Sequence, residues 1–417
     1  MEREEIIRGL FCNGHTQKEI IWILDKVYSY RISDRHLRRI LKSYSLCRRA
    51  LNRDHQSIFN AVKNEIQICS PMIGVKAMHR KIRDLKGIRP CYRNDVYQVM
   101  RVLDPYGLQF RRPGQCRIPR IVYSCRGPND VWHIDGNDKL KFYGIWIHLC
   151  IDGFSRRVIW LNAGTTNRKP DIIGRYFLNA VDSANGCPRL VRSDRGIENV
   201  LVAIFQTSFR YYHNDSCSGS KSFRFGKSVH NQRAECFFGH LKKSWISMWQ
   251  QNFETMVAAE ILDLSNPVNI HCLQFCFLPL IDQELKFEQC EWNGHLIRKQ
   301  RGFHNFCAKP DVLYFAPPNG KENNICLLDP ELRNYAENFA AVAGQHLLVA
   351  SEEFRNLSCQ FLLQCGYTMP KTRSQAFDCY QILSASFDFI INRLQLCPPQ
   401  TFVQAIDVYH TIFHSFY

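Results

Sequence analysis

The chain has 417 residues, 45% of them hydrophobic and 12% aromatic, so it can bury a sizeable core and general disorder is excluded. Lys and Arg outnumber Asp and Glu by 54 to 38, and residues 1–127 alone hold 26 basic and 11 acidic residues. This concentration of charge indicates a module that binds a polyanion, with DNA or RNA as the usual partner. A basic but merely soluble surface would give the same totals, so that alternative stays open.

The sequence also argues against a membrane partner. No run approaches the roughly 18 apolar residues that a membrane span requires. The first residues, MEREEIIRGL, lack the apolar core of a signal peptide. The 19 cysteines are scattered singly, which is typical of free thiols in a reducing compartment. We therefore expect an intracellular protein.

Residues 1–50 are predicted to form a helix-turn-helix-like DNA-binding unit. Thr16 and Glu19 have the spacing of a capping box, which predicts a helix over residues 17–27. Ser33 then caps a basic helix over residues 34–43, the candidate for the DNA major groove. An ordinary basic helical hairpin would show the same pattern. The candidate DNA-binding residues of this helix are Arg35, Arg38, Arg39 and Lys42.

Residues 51–127 are predicted to form a second basic helical unit and a linker. Apolar spacing predicts helices over residues 55–69, 74–86 and 93–103, and a turn over residues 104–107. The basic, proline-containing stretch over residues 111–120 is predicted to be an extended linker that could follow a phosphate backbone.

Residues 128–252 are predicted to form an α/β catalytic core with an RNase H-like mixed five-stranded sheet flanked by helices. The predicted strands are residues 131–135, 145–151, 157–161, 189–191 and 209–212. Asp152-Gly153 is predicted to be a type I′ hairpin turn. Helices are expected over residues 170–184, 198–207 and 229–249, with a mobile Ser- and Gly-rich loop over residues 214–227. Residues 253–320 are predicted to extend the core with helices, and residues 321–417 to form a helical region of unknown role.

Three carboxylates are the candidate metal ligands. Asp135 ends the first predicted strand and Asp194 the fourth, and these two strands are parallel neighbours in an RNase H-like sheet. Glu235 lies near the start of the long helix and could approach from above. Hard cations such as Mg²⁺ prefer oxygen ligands, and a pair of ions needs about three shared carboxylates. Taken singly, each of these acids would more often be structural.

Other polar residues near these carboxylates have two possible roles each. Lys139, Lys141, Asn231 and Lys242 are candidates to contact DNA, and solvated surface positions are the alternative. Glu198 is a candidate for a fourth carboxylate of the site. Four residues after Asp194, it would more often lie in the first turn of a helix, where the helix dipole favours an acid.

Several motifs in order resemble the integrase core domain of the retroviral integrase and DDE transposase superfamily, in its eukaryotic transposon-related form. They are GPNDVWHIDG (127–136), HLCIDGFSRRVIW (148–160), RSDRGIEN (192–199), NQRAE (231–235) and PDVLYF (310–315), with HTQKEI, ISDRHLRRIL and GVKAMHRKI upstream. The resemblance implies that Asp135, Asp194 and Glu235 are catalytic and bind two Mg²⁺ or Mn²⁺ ions. The 40 residues between Asp194 and Glu235 exceed the usual retroviral spacing, so the choice of Glu235 is less secure.

The leading hypothesis is a DNA-binding integrase or transposase that cuts and joins DNA ends, working as a homo-oligomer in the nucleus without a small-molecule substrate. A second hypothesis is a host-domesticated, catalytically silent descendant that binds nucleic acid or protein. A third is a plain RNase H-like nuclease, against which the upstream DNA-binding unit speaks. The DNA sequence recognised and the number of subunits are not evident from the sequence.

Overall fold

A computed structural model describes residues 3–46, 54–68, 73–88, 90–110, 124–226, 231–297 and 308–396. The predicted linker over residues 111–120, the first residues of the helix predicted from 229 and residues 397–417 of the C-terminal region lie outside this part of the chain. No described helix combines the length and the apolar character that a membrane crossing needs.

The N-terminal unit consists of three short helices, α1 (Arg3–Cys12), α2 (Gln17–Lys26) and α3 (Asp34–Ser43). The predicted capping box is confirmed, because Thr16 and Glu19 each accept a hydrogen bond from the other's backbone N–H. Ser33 caps α3 as predicted by accepting from the backbone N–H of His36 at 3.2 Å. The helices share a small apolar core, and the arginines of α3 lie on its outer faces.

The second unit consists of α4 (His55–Ile68), α5 (Val75–Arg80), α6 (Arg93–Leu103) and α7 (Pro105–Phe110). One π-helical turn, Lys81–Leu85, extends α5. The predicted turn over residues 104–107 is wrong, because Pro105 begins α7 instead. Proline suits the first position of a helix, where its missing N–H has no partner to lose, and Asp104 accepts from the backbone N–H of Gly107 at 3.0 Å.

The central sheet has five strands in the order β3-β2-β1-β4-β5. The strands are β1 (Val131–Asn137), β2 (Trp146–Asp152), β3 (Val158–Gly164), β4 (Leu190–Ser193) and β5 (Phe223–Phe225). Strand β2 runs antiparallel to both β1 and β3, and β4 runs parallel to both β1 and β5. The predicted α/β class, a mixed five-stranded sheet flanked by helices in the RNase H-like manner, is confirmed.

The first helices of the core are α8 (Pro170–Ala184), α9 (Val200–Phe209), α10 (Gln232–Leu241), α11 (Ser247–Ala258) and α12 (Pro267–Asn293). A π-helical turn, Lys242–Ile246, joins α10 to α11, which confirms the long helix over its described residues. Helices α8 and α9 cover one face of the sheet with a cluster that includes Trp132 and Phe177. Helices α10 to α12 cover the other face.

The prediction of the fifth strand was wrong. Phe209 is the last residue of α9, where its ring stacks against Phe205 at 6.1 Å between centroids, and residues 210–212 form a turn. The fifth strand lies further on, at β5, inside the segment predicted to be a mobile loop. Residues 219–222 of that segment form a 3₁₀ turn. The two exposed tyrosines after Phe209 favoured a strand prediction because aromatic residues are common in strands. The observed strand β5 has only three residues, which are too few to show a strand pattern.

The predicted two-residue hairpin after β2 was also wrong. Asp152 is fully buried, and its carboxylate accepts hydrogen bonds from Ser155 at 2.7 Å and from the backbone N–H of Asn129 at 2.8 Å. The turn continues to Arg157, whose carbonyl accepts from the backbone N–H of Asp152. Asp152 is therefore a structural acid that organises a longer connection.

The C-terminal helices are α13 (Pro310–Phe315), α14 (Pro330–Glu337), α15 (Glu352–Gln364) and α16 (Arg373–Leu396). Helix α16 packs along α12, and its Tyr380 belongs to the same apolar cluster as the sheet. Arg373 makes two 2.8 Å hydrogen bonds to Glu284 of α12 and lies over the ring of Trp249. The described part of this region is thus a layer of the core, although its predicted boundary and a role in self-association stay predictions.

Side-chain contacts also attach both N-terminal units to the core. Lys81 forms a buried ion pair with Glu288 of α12 at 2.8 Å. Lys309, just before α13, donates to the backbone carbonyl of Gly14 at 2.7 Å. These contacts hold the basic units beside the α/β core.

Candidate active site

The strand register brings the two aspartates together. In the parallel pair of β1 and β4, His133 lies beside Arg192. Continuing that register by two residues places Asp194 beside Asp135 at the carboxyl ends of the two strands. Both side chains are partly buried. The sequence-based expectation that these acids share one edge of the sheet agrees with this placement, which is where open α/β sheets carry their sites.

Glu235 approaches the same edge from α10. This helix packs on β1 and β2, and the Glu235 side chain is exposed. Its charge is close enough to raise the pKa of Asp135. The three candidate ligands therefore lie within electrostatic reach of one another, with Glu235 at the solvent side.

The placement of Asn231 corrects its expected contact with DNA. Asn231 is 1% exposed, and its amide nitrogen donates to the carbonyl of Ile134 at 2.9 Å. Its amide oxygen accepts from Nδ1 of the buried His133 at 2.7 Å. Burial lowers the pKa of His133 to about 3, so the ring is neutral and carries its proton on Nδ1. Asn231 thereby fixes the start of α10 to β1, four residues before Glu235.

Burial and the neighbouring carboxylates raise the pKa of Asp135. Asp135 has a pKa of about 7, first because burial disfavours its charge and then because Asp194, Glu235 and Glu198 are negative. Within the described part of the chain, no Lys or Arg forms an ion pair with any of these four acids. Among the described residues, the site is therefore a concentration of negative charge without an ion-paired cation.

Glu198 lies with this cluster rather than in open solvent. It belongs to a 3₁₀ turn, Ile197–Asn199, that leads into α9, and its side chain folds back over Gly196. Asn199 is fully buried and donates to Glu198 at 3.2 Å and to Asp194 at 3.5 Å. Burial raises the pKa of Glu198, and the charge of Asp194 raises it further. One feature of the sequence indicates this geometry: Gly196, two residues before Glu198, leaves room for the acid to fold back.

The donor chemistry of the cluster fits a hard divalent cation, because every available ligand is a carboxylate oxygen and the acids repel one another. Among the described residues, no group of three or more His, Cys, Asp or Glu is yet gathered tightly enough to hold an ion. Asp135 and Asp194 supply the fixed side of the site. Binding would require the exposed Glu235 side chain to turn towards them.

The candidate DNA-binding cations lie on the surface. Lys139 follows β1 and is exposed, while Lys141 pairs with Asp138 at 2.9 Å. Lys242 is exposed two turns after Glu235. On α3, all four basic residues are exposed, and Arg38 forms an ion pair with Asp34. Their DNA contacts stay predictions.

The strand order and the mixed sheet define a class, the proteins with an RNase H-like fold. Residues 122–307 match the family described as integrase core domain. This match supports the resemblance to the integrase and DDE transposase superfamily that the motifs indicated. A comparison with curated proteins finds no match.

Two polar residues of the site escaped the sequence reasoning. His133 was taken as ordinary, and Asn199 was not considered. His133 contacts a partner far away in sequence, Asn231, and Asn199 contacts the two acids Asp194 and Glu198. The pattern of residues gives no signal for such contacts before the strand register is known.

Proposed function

We propose that this chain is a DNA-binding polynucleotidyl transferase of the integrase and transposase type, with Asp135, Asp194 and Glu235 as the ligands of two Mg²⁺ or Mn²⁺ ions. The observation that carries the proposal is the parallel register of His133 with Arg192 in β1 and β4, which supports a neighbouring position of Asp135 and Asp194 two residues further on. Their position within an integrase core domain supports the same assignment.

The roles of the side chains follow from their positions. Asp135 and Asp194 are the rigid ligands because strands hold them, and Glu235 closes the site from α10. Bound divalent ions would activate a water or a 3′-hydroxyl and stabilise the leaving oxygen of a phosphodiester. The exposed Lys139 and Lys242 would contact the phosphates of the DNA end, and Asn231 would maintain the position of Glu235.

The basic helix α3 would dock the chain on DNA. Its buried residues Leu37, Ile40 and Leu41 hold it against α2, while Arg35 and Arg39 face solvent. This arrangement suits a recognition helix in the major groove. Joining two ends of one DNA element requires two active sites, so the proposal includes a homo-oligomer assembled on DNA and a nuclear location.

The test is metal-dependent nicking of supercoiled plasmid and strand transfer of a labelled duplex by the purified full chain in Mg²⁺ or Mn²⁺. Asp194→Asn should abolish both activities. Glu260→Gln, an exposed acid just after α11, should leave them unchanged. An activity that survives Asp194→Asn would refute the assignment.

Two further outcomes separate the competing functions. No nicking, together with no heat of Mn²⁺ binding by calorimetry, would favour the silent, domesticated descendant. Equal cleavage of an RNA–DNA hybrid and of plasmid DNA would favour a plain nuclease.

A further inference from the structure

A buried chain of donors leads from the core of the sheet to the acidic site. Its first link joins Trp160 of β3 to His148 of β2, whose rings stack 12° from parallel. The indole N–H donates to Nδ1 of His148 at 3.0 Å. An indole N–H can only donate, so Nδ1 must be the unprotonated acceptor. The proton of the neutral imidazole is therefore on Nε2.

The second link joins His148 to Asn199. His148 is fully buried, and desolvation lowers its pKa to about 3, an effect that an interaction with the Asn199 side chain partly offsets. Nε2 of His148 and Oδ1 of Asn199 are both buried, and neither has a partner of full hydrogen-bond geometry. Because Nε2–H needs an acceptor and Oδ1 needs a donor, a hydrogen bond between them would satisfy both buried atoms.

The third link reaches the carboxylates. An Asn199 side chain whose Oδ1 accepts from His148 has its amide nitrogen pointing the other way. That nitrogen donates to Glu198 at 3.2 Å and to Asp194 at 3.5 Å. One NH₂ group thus bridges two acids that would otherwise separate by repulsion.

We propose that Asn199, oriented by His148 and Trp160, is a positioning residue that holds Glu198 beside Asp194 and makes Glu198 a fourth carboxylate of the metal site. The proposal rests on the proposed function in requiring a divalent ion at this edge. A purely structural role for the same contacts would affect folding but would not affect the metal affinity of the folded protein.

The experiment is titration of Mn²⁺ into the full chain by calorimetry, with thermal unfolding without metal as the measure of folding. Asn199→Ala and His148→Leu should each weaken Mn²⁺ binding about 10–100-fold, the loss typical of groups that orient metal ligands. His148→Gln is the matched control, because its amide can accept from Trp160 and donate to Asn199. It should stay within about threefold of the wild type.

The outcomes distinguish failure of this inference from failure of the proposed function. If the wild-type chain and Asp194→Asn respond identically to Mn²⁺, both fail. If the wild type binds Mn²⁺ and folded Asn199→Ala binds it equally well, only the positioning role is overturned. If folded His148→Gln binds as weakly as His148→Leu, the direction of the donor chain is wrong.

Discussion

Replacing Asp135 with asparagine should stabilise the metal-free protein, and the gain should grow with pH. The folded protein raises the pKa of this carboxyl from its ordinary 3.8 to about 7. Ionised Asp135 is therefore less favourable in the folded state than in the unfolded chain. The stability that protonation provides is present at low pH and is lost as the pH rises towards 7, above which the penalty is constant. Asparagine has the shape of the neutral acid and avoids the penalty.

The size of the effect follows from the two pKa values. One pKa unit corresponds to about 1.4 kcal/mol, so the interval from 3.8 to about 7 sets a ceiling of about 4 kcal/mol above pH 7. At pH 5, the unfolded chain has largely ionised this group while the folded chain has not, and the penalty is smaller. The advantage of Asp135→Asn over the wild type should therefore be about 2–3 kcal/mol larger at pH 8 than at pH 5.

The assay is urea unfolding of both proteins at pH 5 and pH 8 with EDTA present. Asp138→Asn is the matched control, because Asp138 lies three residues away, is exposed, and has a pKa lowered by its hydrogen bond to Lys141. That variant should show no gain at pH 8. A gain for Asp135→Asn that is equal at both pH values, or a loss at pH 8, would refute the electrostatic reasoning.

Three further predictions concern other parts of the molecule. Gly196→Ala should barely change the melting temperature but should weaken Mn²⁺ binding, because the new Cβ would displace the flexible end of Glu198. If the variant binds Mn²⁺ as tightly as the wild type, Glu198 is not part of the site. Lys81→Met should cost about 3 kcal/mol in urea unfolding because it leaves Glu288 buried and unpaired, and adding Glu288→Leu should restore most of it. An equal loss in the double variant would show that the pair is not the cause. Arg39→Ala should lower DNA affinity at an unchanged melting temperature. It should also reduce the salt dependence of the DNA-binding constant by the amount expected for about one phosphate contact. An unchanged salt dependence would place α3 away from DNA.

The sequence predicted best what short-range rules govern. The capping box at Thr16 and Glu19 and the cap at Ser33 each depend on residues three apart, and both were found where expected. The neighbourhood of Asp135 and Asp194 followed from one topological rule, that their strands are parallel neighbours. Each of these features needs little knowledge of distant contacts.

The errors arose where distant contacts decide the structure. Asn231 lies on the helical surface by its periodicity, but the packing of α10 on β1 buries it against His133. Strand β5 has only three residues and is defined by its pairing with β4, so its local pattern is too short to find. The apolar sequence before residue 210 fits a strand as well as a helix, and its packing on α8 decides the matter.

The candidate site holds four acids, Asp135, Asp194, Glu198 and Glu235. The unfavourable electrostatic free energy of holding them together bears on whether catalysis is retained. Asp135 and Glu198 both have raised pKa values, and the four acids have no compensating Lys or Arg within the described residues. Such an arrangement destabilises a fold unless a cation binds, and strained electrostatics of this kind are typical of functional sites. A domain that only binds DNA through α3 gains nothing from it, and asparagine at residue 135 would serve that domain better. Two measurements would therefore favour a working metal site over a silent descendant. Without metal at pH 8, Asp135→Asn should have a larger free energy of unfolding than the wild type. With Mn²⁺, which should stabilise only the wild type, the wild type should be the more stable of the two.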